Sequence, residues 1–188
     1  MNKHQEIVKA AARVFREKGY HAATIQDIAT EVGLLKGSLY HHIQGKEQLL
    51  MEVLVRAVRV LHEGLTRVAA SGLAPEEKLK QAILFHLEAY LGREELPVFY
   101  NEIRYLSPES RGELNSVIKE YEDMWMKILK DGVDAKTFRD DLPQRIVLQA
   151  VFGMCNWANK WFRPDGKLSP AEIGEIFFKM AVEGLKKD

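Results

Sequence analysis

The chain has 188 residues, 46% of them hydrophobic, and 27 Lys/Arg against 27 Asp/Glu. That is enough apolar material for a real core, in one domain or in a small domain fused to a larger one. Cys155 is the single cysteine, which excludes an intrachain disulfide and asks for neither an oxidising compartment nor a structural zinc.

Apolar residues recur at helical spacing almost throughout and strand-like alternation is scarce, so the expected fold is all-α, with about nine helices. Ile7, Ala11, Val14 and Phe15 mark a first helix that Gly19 stops. Its charged residues break any continuous apolar run, so no signal peptide is expected and the address is cytoplasmic. Thr24-Ile25-Gln26-Asp27 forms a capping box for a second helix with Ile25, Ile28, Ala29 and Val32 on one face, closed by Gly33. A third short helix is expected over Lys36 to Ile43. Gln44-Gly45 breaks it before a long fourth helix carrying Leu50, Val53, Leu54, Ala57 and Leu61. Residues 69–75 read as a linker. Later helices are expected at about 76–91, 97–106, 109–130, 143–162 and 170–186. The most apolar stretch, Ile146 to Phe162, is interrupted by Gln149, Asn156, Asn159 and Lys160, so it reads as a buried helix and not as a membrane span.

Two short helices around a glycine-centred turn match a helix-turn-helix, whose second helix enters the major groove of double-stranded DNA. Leu39 and Ile43 would anchor that helix. Lys36, Gly37 and Ser38 stand at its N-terminal end, Tyr40, His41 and His42 project further along, and Lys46 opens the next helix near the flanking backbone. Residues 1–50 hold seven Lys/Arg against five Asp/Glu, leaving 20 against 22 in the rest. The asymmetry has the sign expected of a DNA-facing head. A metal site at His41-His42 is not expected, because adjacent residues point to different sides of a helix and no third ligand is suitably spaced. No cofactor is implied.

Gly19-Tyr20, Thr24 to Ala29, Gly33, Gly37-Ser38-Leu39-Tyr40 and Lys46-Glu47-xx-Leu50 resemble the DNA-binding domain of the TetR family of one-component transcriptional repressors. The resemblance covers about the first fifty residues. It implies a DNA-binding domain over 1–47 and a ligand-binding and dimerisation domain over 48–188. It also implies DNA contacts from Thr24, Gln26, Lys36, Gly37, Ser38, Tyr40, His42 and Lys46, with Tyr40 and Lys46 mainly holding phosphate. The chain departs from the family pattern at Leu35, where a Ser or Thr usually caps the reading helix, and at Ile43, where Phe is frequent.

Two C-terminal helices are apolar on both sides. Val147, Ala150, Val151, Met154, Ala158 and Trp161 form one stripe of the first, and Leu148, Phe152, Cys155 and Phe162 the other. In the last helix, Ile173, Phe177, Met180 and Gly184 stand against Phe178, Val182 and Leu185, with Gly174, Ala181 and Gly184 permitting close helix approach. One side of each is expected to meet a second subunit, in agreement with the two-fold homodimer the family resemblance implies. Polar groups set among apolar neighbours mark an effector pocket at His86, Tyr90, Tyr100, Glu102, Tyr121, Met124, Trp125, Asn156, Trp157, Asn159 and Trp161. Residues 101–108 and 156–166 resemble a branch of the family that answers to acyl-CoA thioesters, which implies a CoA headgroup near Arg163 or Lys160. Two other classes stay open: an enzyme, for which Cys155 and His86 are the pair to name, and a helical scaffold.

Overall fold

The computed structural model describes residues 2–93 and 95–186; the side chain of Tyr100 lies outside the described residues. Nine α-helices run among them: α1 (Lys3–Lys18), α2 (Ile25–Glu31), α3 (Lys36–Leu39), α4 (Lys46–Ala70), α5 (Pro75–Gly92), α6 (Glu95–Glu102), α7 (Pro108–Asp134), α8 (Gln144–Trp161) and α9 (Pro170–Leu185), with a 3-10 turn at Ile103–Tyr105 between α6 and α7. The starts are set by side-chain caps. Asn2 with Gln5, Thr24 with Asp27 and Ser169 with Glu172 form reciprocal capping boxes that satisfy otherwise orphaned N–H groups. Gly19 and Gly33 turn the chain at φ values of 75° and 67°, where a side chain would be strained.

Several boundaries differ from the sequence expectation: α6 ends at Glu102, with the 3-10 turn following it, and α7 runs on to Asp134. α3 stops at Leu39 instead of Ile43, because Leu35 supplies no side-chain cap and the following turn tightens, His41 and His42 donating to the Ser38 and Leu39 carbonyls three residues back. α4 runs on through Ala69 and Ala70, both good helix formers, so that only Ser71 to Ala74 separate it from α5.

The chain divides into two compact units, Met1–Arg59 with Arg93–Val117 and Val60–Gly92 with Ile118–Asp188. In the first, α1 packs on α2 and α6, and α2 on α3. Ile7, Phe15, Ile28, Leu39, Leu49, Leu50 and Leu54 fill its core. In the second, α5 lies against α8 and α9 over Leu79, Ile83, Leu87, Leu148, Cys155, Ile173 and Val182. Gly174 is buried there because Leu84 of α5 sits against it, 3.1 Å from where a side chain would begin.

Candidate functional site

In the first unit, the turn between α2 and α3 is pinned by the Leu34 N–H donating to the Ala29 carbonyl at 2.8 Å. Leu39 and Ile43 are buried, which fixes one side of the α3 segment and turns the other outward. Lys36, Gly37, Tyr40, His41 and His42 are exposed and Ser38 is half-buried. Thr24 and Gln26 are exposed at the start of α2, where the Thr24 hydroxyl is engaged in the cap with Asp27. A hydrogen bond from the Lys18 ammonium, backed by those from Thr24, holds the Asp27 carboxyl down at about 2.

Lys46 has a placement that its sequence position alone did not suggest. Its ammonium donates to the Tyr20 carbonyl at 2.8 Å and the Ala23 carbonyl at 2.9 Å, with the His21 carbonyl at 3.4 Å. It also lies 4.5 Å from the centre of the Tyr20 ring. The side chain thus ties the start of α4 to the turn before α2. Tyr20 in turn stacks on Tyr105 at 5.8 Å, with Arg104 over the Tyr105 ring at 4.8 Å. The Glu47 carboxylate accepts from the Ser107 N–H at 2.9 Å and the Ser110 hydroxyl at 3.1 Å, capping α7. The Ser107 backbone bond in particular lowers its pKa. Glu102 belongs to this unit, its carboxylate 3.9 Å from where a side chain on Gly19 would begin.

In the second unit five of the expected pocket residues come together. His86 is buried, and its Nδ1 lies 2.8 Å from the Tyr121 hydroxyl and its Nε2 2.9 Å from Asn156 Oδ1. With the amide oxygen as acceptor, the Nε2–H donates and Nδ1 accepts from the phenol, which assigns the tautomer from the network. The imidazole stacks on Phe152 at 5.1 Å and Tyr90 at 5.8 Å, with Trp125 edge-on at 6.0 Å. Burial pushes His86 down to about 4, only partly countered by the Asn156 bond. Burial also raises the Tyr121 phenol, offset in part by the Trp125 indole. The Trp125 N–H is itself buried without a hydrogen-bond partner of normal geometry.

Phe152, which the sequence placed only on an apolar stripe, belongs to this group; its position one turn before Asn156 was the available signal. Met124 is half-buried on α7, its sulfur 4.0 Å from the Thr66 hydroxyl. Asn159 is half-buried on α8, while Arg163 pairs with Asp165 at 3.0 Å in the exposed segment after it. Both nitrogens of His86 are engaged by Tyr121 and Asn156, and burial pushes the Cys155 thiol up to about 12, so that thiol stays protonated and unreactive.

Trp157 and Trp161 stand on the outer side of α8. They continue a stripe of Ile146, Ala150 and Gly153, all exposed, with Ile146 at 65% and Trp157 at 58%. On α9 the matching stripe is Ile176, Met180 and Gly184, with Met180 at 63%. The stripes expected from sequence are corrected here. Val151 and Ala158 join Leu148 and Cys155 in the chain's own core, because each stands one residue, about 100° of helix rotation, round from Ala150 and Trp157 of the outer stripe; Ile173 joins Phe178 and Val182 beside the buried Gly174, where α5 packs on α9.

An exposed helix-turn-helix in one unit and a buried polar-aromatic group in another, all-helical one define a DNA-binding regulatory protein. Residues 7–53 match the bacterial regulatory proteins of the tetR family and residues 72–185 match the tetracyclin repressor-like C-terminal domain, so the chain belongs to the TetR family of transcriptional regulators. It is 31% identical over 186 residues to the HTH-type transcriptional repressor KstR2 of Mycolicibacterium smegmatis, covering 98% of this chain and 91% of that one. Among solved structures, the TetR family regulator PfmR from Thermus thermophilus superposes with a TM-score of 0.86 at 31% identity, over 96% of this chain and 99% of that one. AibR in complex with isovaleryl coenzyme A and operator DNA superposes with a TM-score of 0.88 at 27% identity, over 95% and 97%. Among the described residues no helix is long and apolar enough to cross a membrane.

Proposed function

We propose that this protein is a cytoplasmic repressor that binds a palindromic operator as a homodimer and is released from it by an acyl-CoA thioester. Residues 1–47 read the DNA, and residues 48–188 bind the effector and the second subunit. The observation that carries the reading is the α3 segment, buried through Leu39 and Ile43 and exposing Lys36, Gly37, Tyr40, His41 and His42. A helix anchored on one side and polar on the other, with a two-helix scaffold behind it, fits the major groove. The assigned contacts are Thr24, Gln26, Lys36, Gly37, Ser38, Tyr40, His41 and His42, with Lys46 acting by holding the head together and by opening α4 beside the backbone.

One reading segment covers few base pairs, whereas two held about 34 Å apart read successive major grooves on one face of the duplex. The outer stripes of α8 and α9 supply the means. Ile146, Trp157, Ile176 and Met180 flank Ala150, Gly153 and Gly184, so large apolar groups surround small ones that let helices approach closely. Trp157→Glu is expected to convert the dimer to monomer in sedimentation equilibrium while leaving helical content unchanged. A Trp157→Glu protein that sediments as a dimer would remove this face from the interface.

For the effector, the group around His86 offers aromatic faces and an uncharged polar network. We assign the Trp125 indole N–H, buried beside the Tyr121 phenol without a hydrogen bond of normal geometry, to the effector's carbonyl oxygen. The AibR relative, with its isovaleryl coenzyme A, supports this class of ligand. The deciding test is selection of bound duplexes from a random DNA pool, then titration of the recovered site with acyl-CoA thioesters of graded chain length. The expected result is a palindrome whose affinity falls steeply with added salt and whose complex dissolves with one length class. A palindrome indifferent to every thioester discards the effector, and a pool with no enrichment discards the DNA reading.

A further inference from the structure

Among the described residues of the first unit the large apolar side chains are buried or half-buried except for two, and both of these lie on the reading segment: Leu35 at 79% and Tyr40 at 50%. Leu35 occupies the N-cap of α3 with extended backbone angles, φ −72° and ψ 147°, and makes no side-chain cap. A Ser, Thr, Asp or Asn there would stabilise the helix by about 1 kcal/mol. Leucine contributes neither that hydrogen bond nor, at this exposure, any burial. The extended backbone takes it out of register with Leu39, which is fully buried four residues on. On its other flank, Gly37 has only open space around its side-chain direction. Leu35 therefore stands clear of the surface at the leading end of the segment.

An isolated exposed leucine is ordinary on a protein surface. At this place it is not, because the N-terminal residues of a helix-turn-helix reading helix are those that meet base edges. Leucine has no hydrogen-bonding group, and the major groove presents one apolar feature, the C5-methyl group of thymine. We propose that Leu35 reads a thymine methyl group at one position in each operator half-site. The proposal rests on the DNA-binding reading above.

The test replaces each thymine of the selected operator in turn with deoxyuridine, which lacks only that methyl group, and measures the affinity of the full-length protein. At one symmetry-related pair of thymines the wild type is expected to lose about fourfold per half-site, equivalent to about 0.8 kcal/mol for one methyl-sized group. Leu35→Ala is expected to bind the thymine and deoxyuridine operators equally. Leu35→Ser restores a capping hydroxyl, so it secures the fold, and it too is expected to be blind to the methyl group. A flat deoxyuridine scan in the wild type overturns the assignment, as does a methyl effect that survives unchanged in Leu35→Ala and Leu35→Ser. Failure to select any operator instead overturns the DNA reading on which it stands.

Discussion

Lys46→Met is expected to destabilise the first unit by about 2 kcal/mol and to abolish operator binding with it. The ammonium donates to the carbonyls of Tyr20 and Ala23 within 2.9 Å and reaches that of His21 at 3.4 Å. A hydrogen bond to a charged group contributes about 1.5–3 kcal/mol, and carbonyls stranded by its removal cost a further fraction where they are shielded from water. Lys46 is half-buried, so solvent screening brings the net figure toward the lower end. Methionine keeps most of the apolar stem, which confines the change to the lost donors. Arginine is expected to restore only part of the loss, because a planar fork cannot converge on three carbonyls as a rotating ammonium does. Chemical denaturation beside DNA titration checks this. If Lys46→Met unfolds at the wild-type midpoint yet fails to bind DNA, the lysine is a phosphate contact and not the tie between α4 and the Tyr20 turn.

Lys46 illustrates where the sequence was legible and where it was not. Helix starts were readable because their signals are local: Thr24 with Asp27 lies within one turn. The apolar period, likewise local, placed the later helices within a few residues of their observed ends. The partners of Lys46 are backbone carbonyls 23 to 26 residues away, and no side-chain pattern marks a carbonyl as an acceptor. The same limit applied to the residues expected to line a pocket. Polar atoms among apolar neighbours picked out His86, Tyr121 and Asn156 singly, but their separations of 35 and 70 residues hid that they form one hydrogen-bonded chain. Trp157 and Trp161 carried the same local signal and stand on the outer side of α8. Periodicity says that a residue is on an apolar face; it does not say whether that face meets its own core or stands outward.

The His86 chain also sets how stability depends on pH. The imidazole has its ordinary value of 6.5 in the unfolded chain and is pushed down to about 4 in the folded one, first by burial. Between those values the unfolded state binds more protons than the folded state, so stability rises with pH through this window and is lost as pH falls from about 6.5 toward 4. The slope approaches about 1.4 kcal/mol per pH unit, and the whole window amounts to about 3 kcal/mol. Asp27, held at about 2, adds its loss below the window, as pH falls from its ordinary 3.8, and Glu47, lowered by the Ser107 backbone bond, loses its contribution in the same carboxylate sense as pH falls below its ordinary value. His86→Phe keeps a ring between Phe152 and Tyr90 but strands the Tyr121 hydroxyl and the Asn156 amide. It is therefore expected to be less stable than wild type by about 1–3 kcal/mol near neutral pH, while losing most of the slope between pH 6.5 and about 4. Denaturant midpoints across that range measure both effects, and equal slopes in the two proteins would place the titrating group elsewhere. Near neutral pH the site then presents an uncharged imidazole locked between a phenol and an amide. With the effector placed there as proposed, these surroundings suit a neutral acyl chain and carbonyl and disfavour a free carboxylate, because burying the latter's charge beside a neutral ring carries a large desolvation cost. Chain-matched comparison of an acyl-CoA with the corresponding fatty acid should accordingly show release of DNA by the thioester and little by the acid.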